Sequence, residues 1–323
     1  MKTITDLISR YDMLPPGSKV LCAVSGGADS MCLLHWLADN ADAMEISVSA
    51  AHFEHGIRGD ESLRDMNFVE EVCRAMQIPL FIGRGNVPEY AEERSMGLEE
   101  AARELRYEFL ERTAGENGFD RIATAHNADD NAETVIFNLA RGSGAAGICG
   151  IPPVRGKIVR PLLETCRSEI EKYLSDRGIS HIEDSTNSSG QYSRNKIRLQ
   201  IMPVLREINP SVSKAILRTG DMLREDNRLL EELADEFIAG HFNGESVRSK
   251  ELAALPDAVE ARVIRKLCPQ HVSAVHTNDI MKLATGTDLA FIDVPGARIR
   301  RQKGRIWFRD PPVPKNKEKK QTL

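Results

Sequence analysis

The chain has 323 residues, of which 41% are hydrophobic, so it is long enough for one large domain or two of moderate size. Its formal net charge of −5 at pH 7 shows no overall basic excess, so binding to nucleic acid would need a local positive patch. No apolar run has the length of a membrane-spanning helix and the N-terminus has no signal-peptide pattern, which predicts a cytoplasmic protein without membrane partners.

Six scattered cysteines form no C-x-x-C pair, which predicts small buried residues in a reducing compartment.

The first two-thirds of the chain alternates strand and helix patterns. Strands are predicted at residues 19–24, 45–52, 79–82 and 120–125, and helices at 29–38, 63–76, 98–117 and 128–140. This order predicts an α/β fold with a parallel sheet flanked by helices. Ligands of such sheets bind beyond the carboxyl ends of the strands, so residues 25–27, 52–58 and 126–130 should converge on one crevice.

From about Pro210 the pattern becomes almost wholly helical, with a short strand-like ending before a basic tail. We predict a nucleotide-binding domain over residues 1–209, a mainly helical accessory domain over 210–310 and a disordered basic tail over 311–323.

The six residues that follow the first strand predict a phosphate-binding loop. A strand that runs into two glycines and then a helix directs backbone N–H groups and the positive helix end at one point. Asp29 is unexpected there, because a carboxylate repels phosphates unless it binds Mg²⁺ or a cationic substrate. A tight strand-to-helix turn without a ligand is the alternative. The loop consists of Ser25, Gly26, Gly27, Ala28, Asp29 and Ser30.

This loop resembles the S-G-G-x-D-S signature of the PP-loop ATP pyrophosphatases, and the chain has no Walker A motif. Further segments resemble, in order, those of the tRNA(Ile)-lysidine synthetases, with Glu54 where asparagine is usual and Asn131 where glutamine is usual. They are "AHFEHGIRGDES", "LEEAARELRY", "TAHNADDNAET", "LARGSGAAGICGI", "RPLL" and "DSTNSSGQYSRNKIR", and the resemblance is dense over residues 18–210.

The resemblance implies an ATP-dependent carbon–nitrogen ligase. Members of the family adenylate the wobble cytidine of the tRNA(Ile) that has a CAU anticodon. The ε-amine of L-lysine then displaces AMP to form lysidine, which changes the codon read from AUG to AUA. The loop would bind ATP with Mg²⁺. Asp29, Arg106, Asp130 and Glu133 would be catalytic, and the last three would bind lysine.

Asp130 and Glu133 share a helix face because they lie three residues apart. The alternative is that Asp129, Asp130 and Glu133 form an acidic first turn favoured by the helix dipole, and the surrounding motif favours the site. Arg194, Lys196 and Arg198 are predicted to contact tRNA phosphates, with a solvated charged face as the alternative. The same two interpretations stay open for a second basic strip, Arg298, Arg300, Arg301, Lys303 and Arg305, near Trp307.

Further crevice residues are predicted near the nucleotide. His52 and His55 have an H-x-x-H spacing, but no further ligand has a matching spacing, so no metal site is predicted among the protein side chains. The complete set of these crevice residues is His52, His55, Arg58, His126 and Arg141.

Three other functions compete with this interpretation. A tRNA thiolase would need cysteine pairs, an amide-forming synthetase would not need the basic Arg194–Arg198 stretch, and a non-catalytic nucleotide-binding module would not need Asp29, Asp130 and Glu133. The chain is shorter than many family members, which predicts a short form without the extra C-terminal domain, either natural or truncated. The oligomeric state is open, a homodimer included.

Overall fold

The computed structural model describes residues 2–56, 60–183 and 193–309. Arg58, the polar segment 184–192 and the predicted disordered tail 311–323 lie outside the described residues, as does the side chain of Arg194. The described chain divides into two compact units, Met1–Leu223 and Arg224–Leu323. The division falls within a long helix, and the boundary after residue 209 stays a prediction.

The first unit contains a six-stranded sheet with the order β3-β2-β1-β4-β6-β5. Its strands are parallel except for the antiparallel edge pair β5–β6. This confirms the predicted parallel sheet. The strands are β1 (Lys19–Ala23), β2 (Ser47–Glu54), β3 (Leu80–Arg84), β4 (Arg121–Ala123), β5 (Val154–Arg155) and β6 (Ile158–Val159).

Helices connect these strands and complete the first unit. The four helices predicted from periodicity are present, and several further helices were not predicted. In chain order they are α1 (Lys2–Arg10), α2 (Ala28–Asn40), α3 (Asp60–Ala75), α4 (Val87–Arg94), α5 (Leu98–Glu116), α6 (Ala128–Ala140), α7 (Ala145–Ile148), α8 (Arg167–Arg177), α9 (Ser193–Lys196), a π-helix (Ile197–Ile201), α10 (Met202–Ile208) and α11 (Val212–His241).

The side chains of β1 alternate between two hydrophobic clusters. Val20 and Cys22 pack in a cluster with residues of α1, α2, α3 and α8, whereas Leu21 packs in a second cluster with residues of α5. Each fully buried leucine, such as Leu34, contributes about 1.5–3 kcal/mol to folding. Because β1 is buried on both faces, its sequence is almost continuously apolar. Its packing also fixes the position of the loop at its carboxyl end.

The second unit combines helices with an antiparallel sheet of order β7-β10-β9-β8. The predicted helical character is confirmed, and the strand-like ending contributes three of the four strands. The strands are β7 (Ser246–Arg248), β8 (Phe291–Val294), β9 (Ala297–Gln302) and β10 (Arg305–Trp307), and the helices after α11 are α12 (Ser249–Leu252), α13 (Asp257–Leu267) and α14 (Ala274–Thr285).

All six cysteines are free thiols, and five of them are buried, as their apolar contexts predict. Across the described ranges, no helix combines the length and the apolar character that crossing a bilayer requires.

Candidate active site

A cavity of about 1080 Å³ lies at the carboxyl ends of β1, β2 and β4, where the sheet order changes direction. The three strand-end segments predicted to converge there all contribute to its lining, through Ser25, His52 and His126 among others. Arg106 also lines the cavity. The arrangement brings together the predicted phosphate loop and the predicted acidic residues.

Gly26 is the residue that shapes the phosphate loop. Its φ of +92° is a conformation that side chains rarely adopt, and a Cβ there would lie 2.6 Å from Ile182 Cδ1. The backbone N–H of Ile182 donates to the carbonyl oxygen of Gly26 at 2.9 Å, which connects the loop to the segment after α8. Gly27 has an ordinary φ of −73° and is the N-cap of α2, and it has no side chain that could cap the helix. The first N–H groups of α2 are therefore available to an anion.

The two loop serines have different environments. Ser30 is buried, and its Oγ donates to the Gly27 carbonyl oxygen at 2.9 Å and accepts from the Ser25 N–H at 3.1 Å. Ser25 is exposed, with its Oγ 3.2 Å from Ser30 Oγ. Ser30 thus holds the loop in shape, and Ser25 offers a hydroxyl to a ligand.

The carboxylate of Asp29 accepts hydrogen bonds from residues at the starts of α8 and α6. Its Oδ2 accepts from Arg167 Nη1 at 2.7 Å, and its Oδ1 accepts from Asn127 Nδ2 at 3.1 Å. Burial raises the pKa of Asp29, although the Arg167 cation and the Asn127 hydrogen bond act in the opposite direction. Sequence reasoning missed both partners. Arg167 had one signal, because a cation in the first turn of a helix opposes the dipole and so suggests another role.

Asp130 and Glu133 form an acidic pair with one shared cation. Arg198 Nη2 donates to Asp130 Oδ1 at 3.0 Å, and Arg198 Nε donates to Glu133 Oε1 at 2.7 Å. Burial raises the pKa of Asp130 to about 6, and the nearby carboxylates of Asp29 and Glu133 add to this effect. Glu133 is itself buried. Two carboxylates at this position can bind an ammonium group.

Arg198 was predicted to contact tRNA phosphates, but the structure puts its guanidinium inside the cavity, on the acidic pair. It lies in the π-helix, whose wider turn is closed by the Met202 N–H donating to the Ile197 carbonyl oxygen. Lys196 of the same predicted cluster is exposed on α9.

Asp129, the neighbour of Asp130, holds the surrounding helices together. It accepts from the Arg167 N–H at 2.9 Å, from Ser213 Oγ at 2.7 Å and from Arg206 Nη2 at 2.9 Å. Burial alone would raise the pKa of Asp129, but these hydrogen bonds outweigh it and lower the pKa. All three acidic residues line the cavity, but the hydrogen bonds of Asp129 to α8, α10 and α11 give it a structural role.

Arg106 is half-buried at the cavity wall, where burial lowers its pKa. Its guanidinium carbon lies 5.8 Å from the centroid of the Tyr107 ring. Among the residues that the structure describes, no carboxylate forms an ion pair with Arg106. A desolvated guanidinium without a carboxylate partner favours binding a ligand carboxylate.

The predicted histidines line the cavity, whereas Arg141 does not. His52 Nδ1 lies 2.9 Å from the Val24 carbonyl oxygen, so Nδ1 carries the proton and Nε2 is an acceptor. Burial lowers the pKa of His52, which keeps the ring neutral. His126 Nδ1 contacts Thr124 Oγ1 at 3.2 Å, and His55 packs edge-on against Phe53. Arg141 instead lies over the ring of Phe137.

His181 is a lining residue that sequence reasoning missed, and no pattern in its surroundings indicates it. Within the described ranges, no group of three histidine, cysteine or acidic side chains could hold a metal ion without further ligands.

Comparison with known families agrees with this geometry. The family model of the PP-loop domain matches residues 2–205. A tRNA(Ile)-lysidine synthase from Bacteroides thetaiotaomicron is 40% identical over 273 residues, which cover 84% of this chain and 63% of the relative. One from Symbiobacterium thermophilum is 36% identical over 328 residues, covering 94% of this chain and 68% of the relative.

The chain thus spans under two thirds of the length of the Bacteroides relative, and the same holds for a relative from Caldanaerobacter subterraneus, of which it covers 64%. Among solved structures, the U34-tRNA thiolase NcsA from Methanococcus maripaludis with its [4Fe-4S] cluster is similar in fold, with a TM-score of 0.59 and 20% identity. That match covers 69% of this chain and 78% of the thiolase. On its sequence, its fold and its relatives, the chain belongs to the tRNA(Ile)-lysidine synthase family of PP-loop proteins.

Proposed function

We propose that the protein uses ATP to join L-lysine to the wobble cytidine of a tRNA(Ile) with the anticodon CAU, with release of AMP and pyrophosphate. The observation that carries this proposal is the acidic pair of Asp130 and Glu133, which shares one cavity with the phosphate loop and with Arg106. Lysine has an ammonium side chain and a carboxylate, and the cavity offers a partner for each.

The chemistry divides into two displacements. The cytosine O2 attacks the α-phosphorus of ATP and pyrophosphate leaves. The lysine ε-amine then attacks C2, and the C2–O bond breaks to release AMP. The ammonium must first lose a proton, and Asp130, whose pKa is about 6, is a suitable acceptor. The N–H groups at the start of α2 stabilise the pyrophosphate as it leaves.

The residues present also fit Mg²⁺, which favours one or two carboxylates together with substrate phosphates. Asp29 lies within the phosphate loop and lines the cavity, and it would hold the ion jointly with ATP. When bound, Mg²⁺ neutralises charge on the phosphates. We also propose that the domain of residues 210–310 contacts the tRNA together with Arg194 and Lys196, and that the enzyme acts in the cytoplasm.

The test is incorporation of radiolabelled L-lysine into a tRNA(Ile) transcript with the anticodon CAU, in the presence of ATP and Mg²⁺. We expect label that requires ATP, that is absent from methionine tRNA and that is lost in Asp130→Asn. Arg112→Gln, an exposed change on α5 away from the cavity, is the control and should retain activity. If ATP is cleaved to AMP in the presence of tRNA without transfer of label, lysine is not the nucleophile.

A further inference from the structure

Asn127 lies between the phosphate loop and the acidic pair and contacts both. It is the N-cap of α6 and is buried, with 3% of its surface exposed. Its Oδ1 accepts from the backbone N–H groups of Asp129 and Asp130 at 2.9 and 3.0 Å. Its own backbone N–H donates to Asp130 Oδ2 at 3.1 Å. Asn127 therefore fixes the first turn of α6 together with one carboxylate oxygen of Asp130.

The side-chain amide of Asn127 has one orientation that satisfies these contacts. Because its Oδ1 faces two N–H donors, its Nδ2 faces the opposite way, where it donates to Asp29 Oδ1 at 3.1 Å. The reverse orientation would bring the amide nitrogen against two N–H groups and the amide oxygen against a carboxylate. The helix cap itself thus determines the contact between Asn127 and Asp29.

This contact completes a ring of four hydrogen bonds. Asp29 Oδ2 accepts from Arg167 Nη1 at 2.7 Å, and the Arg167 backbone N–H donates to Asp129 Oδ2 at 2.9 Å. The backbone N–H of Asp129 then donates to Asn127 Oδ1, and Asn127 Nδ2 donates back to Asp29. The ring connects the phosphate loop to α6 and to α8, so both helices set the position of the Asp29 carboxylate.

The two oxygens of Asp29 have partners that differ in freedom of movement. Arg167 on Oδ2 has a long side chain that is 42% exposed, so it can turn toward solvent when another cation arrives. Asn127 on Oδ1 is short and buried, and the cap keeps it in place. A ligand cation therefore takes Oδ2 of Asp29, and Asn127 determines the direction in which that oxygen points.

We propose that Asn127 is a positioning residue for Asp29 and orients its carboxylate toward the Mg²⁺ that accompanies ATP. The inference rests on the proposed function for the assignment of this ion. A carboxylate that binds a metal ion is commonly fixed by hydrogen bonds from neighbouring groups, and loss of such a bond weakens the metal affinity. The local sequence pattern alone would give Asn127 only the role of a helix cap.

The test measures the affinity of the full chain for α,β-methylene-ATP, which cannot be cleaved between its α and β phosphates, with Mg²⁺ and with EDTA. The ratio of the two dissociation constants, in EDTA over in Mg²⁺, reports the contribution of the ion. Asn127→Ser keeps a capping oxygen but is too short to donate to Asp29. We expect it to lower this ratio by about tenfold, the lower end of the range for such partners, and to leave the affinity in EDTA unchanged.

A double substitution separates positioning from folding. Asp29→Asn should lower the ratio at least as far as Asn127→Ser, and the two changes together should lower it no further, because both act through one carboxylate. Asn127→Ala removes the cap as well, so it should unfold at a lower urea concentration than Asn127→Ser but give the same ratio.

Asn138→Ser is the matched control on the same helix. It removes a similar hydrogen bond, from Asn138 Nδ2 to the Gly147 carbonyl oxygen at 2.8 Å, and Asn138 does not line the cavity. The ratio of dissociation constants should equal that of the parent.

The proposal is overturned if Asn127→Ser keeps the parent's ratio, if the parent's own ratio is one, or if the double substitution lowers the ratio additively. Equal weakening in Mg²⁺ and in EDTA also overturns it, because a purely structural cap predicts that result. The measurement needs neither lysine nor tRNA, so the two proposals can fail separately. A parent that binds the analogue in a Mg²⁺-dependent way but transfers no lysine would refute the proposed lysine transfer and leave the role of Asn127 intact.

Discussion

Replacing Asp130 by asparagine tests the acidic pair, because the substitution removes a charge and keeps the shape of the side chain. Asp130 is largely buried, and its pKa of about 6 lies well above the usual 3.8. At about 1.4 kcal/mol per pH unit, that difference corresponds to about 3 kcal/mol of stability that the ionised carboxylate costs the folded state. Since the value already includes the cation of Arg198, we expect Asp130→Asn to be about 2–3 kcal/mol more stable at pH 7.

The sign of the pH dependence follows from the same values. Below pH 3.8 the carboxyl is protonated in both the folded and the unfolded chain, so parent and variant should differ little. Between pH 3.8 and about 6 the unfolded chain ionises first, and the parent loses stability relative to the variant. Above about pH 6 the difference should be constant.

Urea unfolding followed by circular dichroism between pH 4 and 8 measures this difference. Asp129→Asn is the control with the opposite sign, because the hydrogen bonds to Asp129 lower its pKa and its charge stabilises the fold at neutral pH. The reasoning is refuted if Asp130→Asn is less stable than the parent at pH 7, or if its advantage is the same at pH 4 and pH 7.

Other measurements test the loop and the lysine site. Gly26→Ala should lower the free energy of unfolding by about 1–3 kcal/mol in urea, through strain at φ +92°, whereas Gly27→Ala should leave it nearly unchanged. KM for lysine should rise about tenfold between pH 7 and pH 5 as Asp130 is protonated. Arg198→Gln should shift that rise toward neutral pH, since a lost cation raises the pKa of Asp130; an unshifted profile would contradict the contact. Arg106→Gln should weaken the binding of lysine by about 10- to 100-fold. The binding of 1,5-diaminopentane, which lacks the carboxylate, should be unaffected in a competition assay.

Local patterns predicted the elements that lie close together in sequence. The buried run of β1 and the glycines after it predicted a loop that does line the cavity, and the spacing of Asp130 and Glu133 predicted their shared helix face. Both signals depend on the period of a single strand or helix, which the sequence displays directly.

Contacts between distant segments were not predictable in the same way. Arg198 meets Asp130 from 68 residues away, and Arg167 meets Asp29 from 138 residues away. A charged residue in a basic stretch has the same local pattern whether it faces solvent or a cavity. Only the packing of the π-helix and α8 against α6 and α2 decides between these alternatives.

The π-helix also limits the lengths that this part of the chain can have. Its turn holds one residue more than an α-helical turn, and Arg198 follows its first residue. Deleting one residue here would restore α-helical spacing but would rotate Arg198 by about 100° relative to the residues beyond the turn. A one-residue deletion in Ile197–Ile201 would therefore separate the guanidinium from both carboxylates while leaving a well-formed helix. In related chains, we expect insertions and deletions to accumulate in surface loops and to spare this segment.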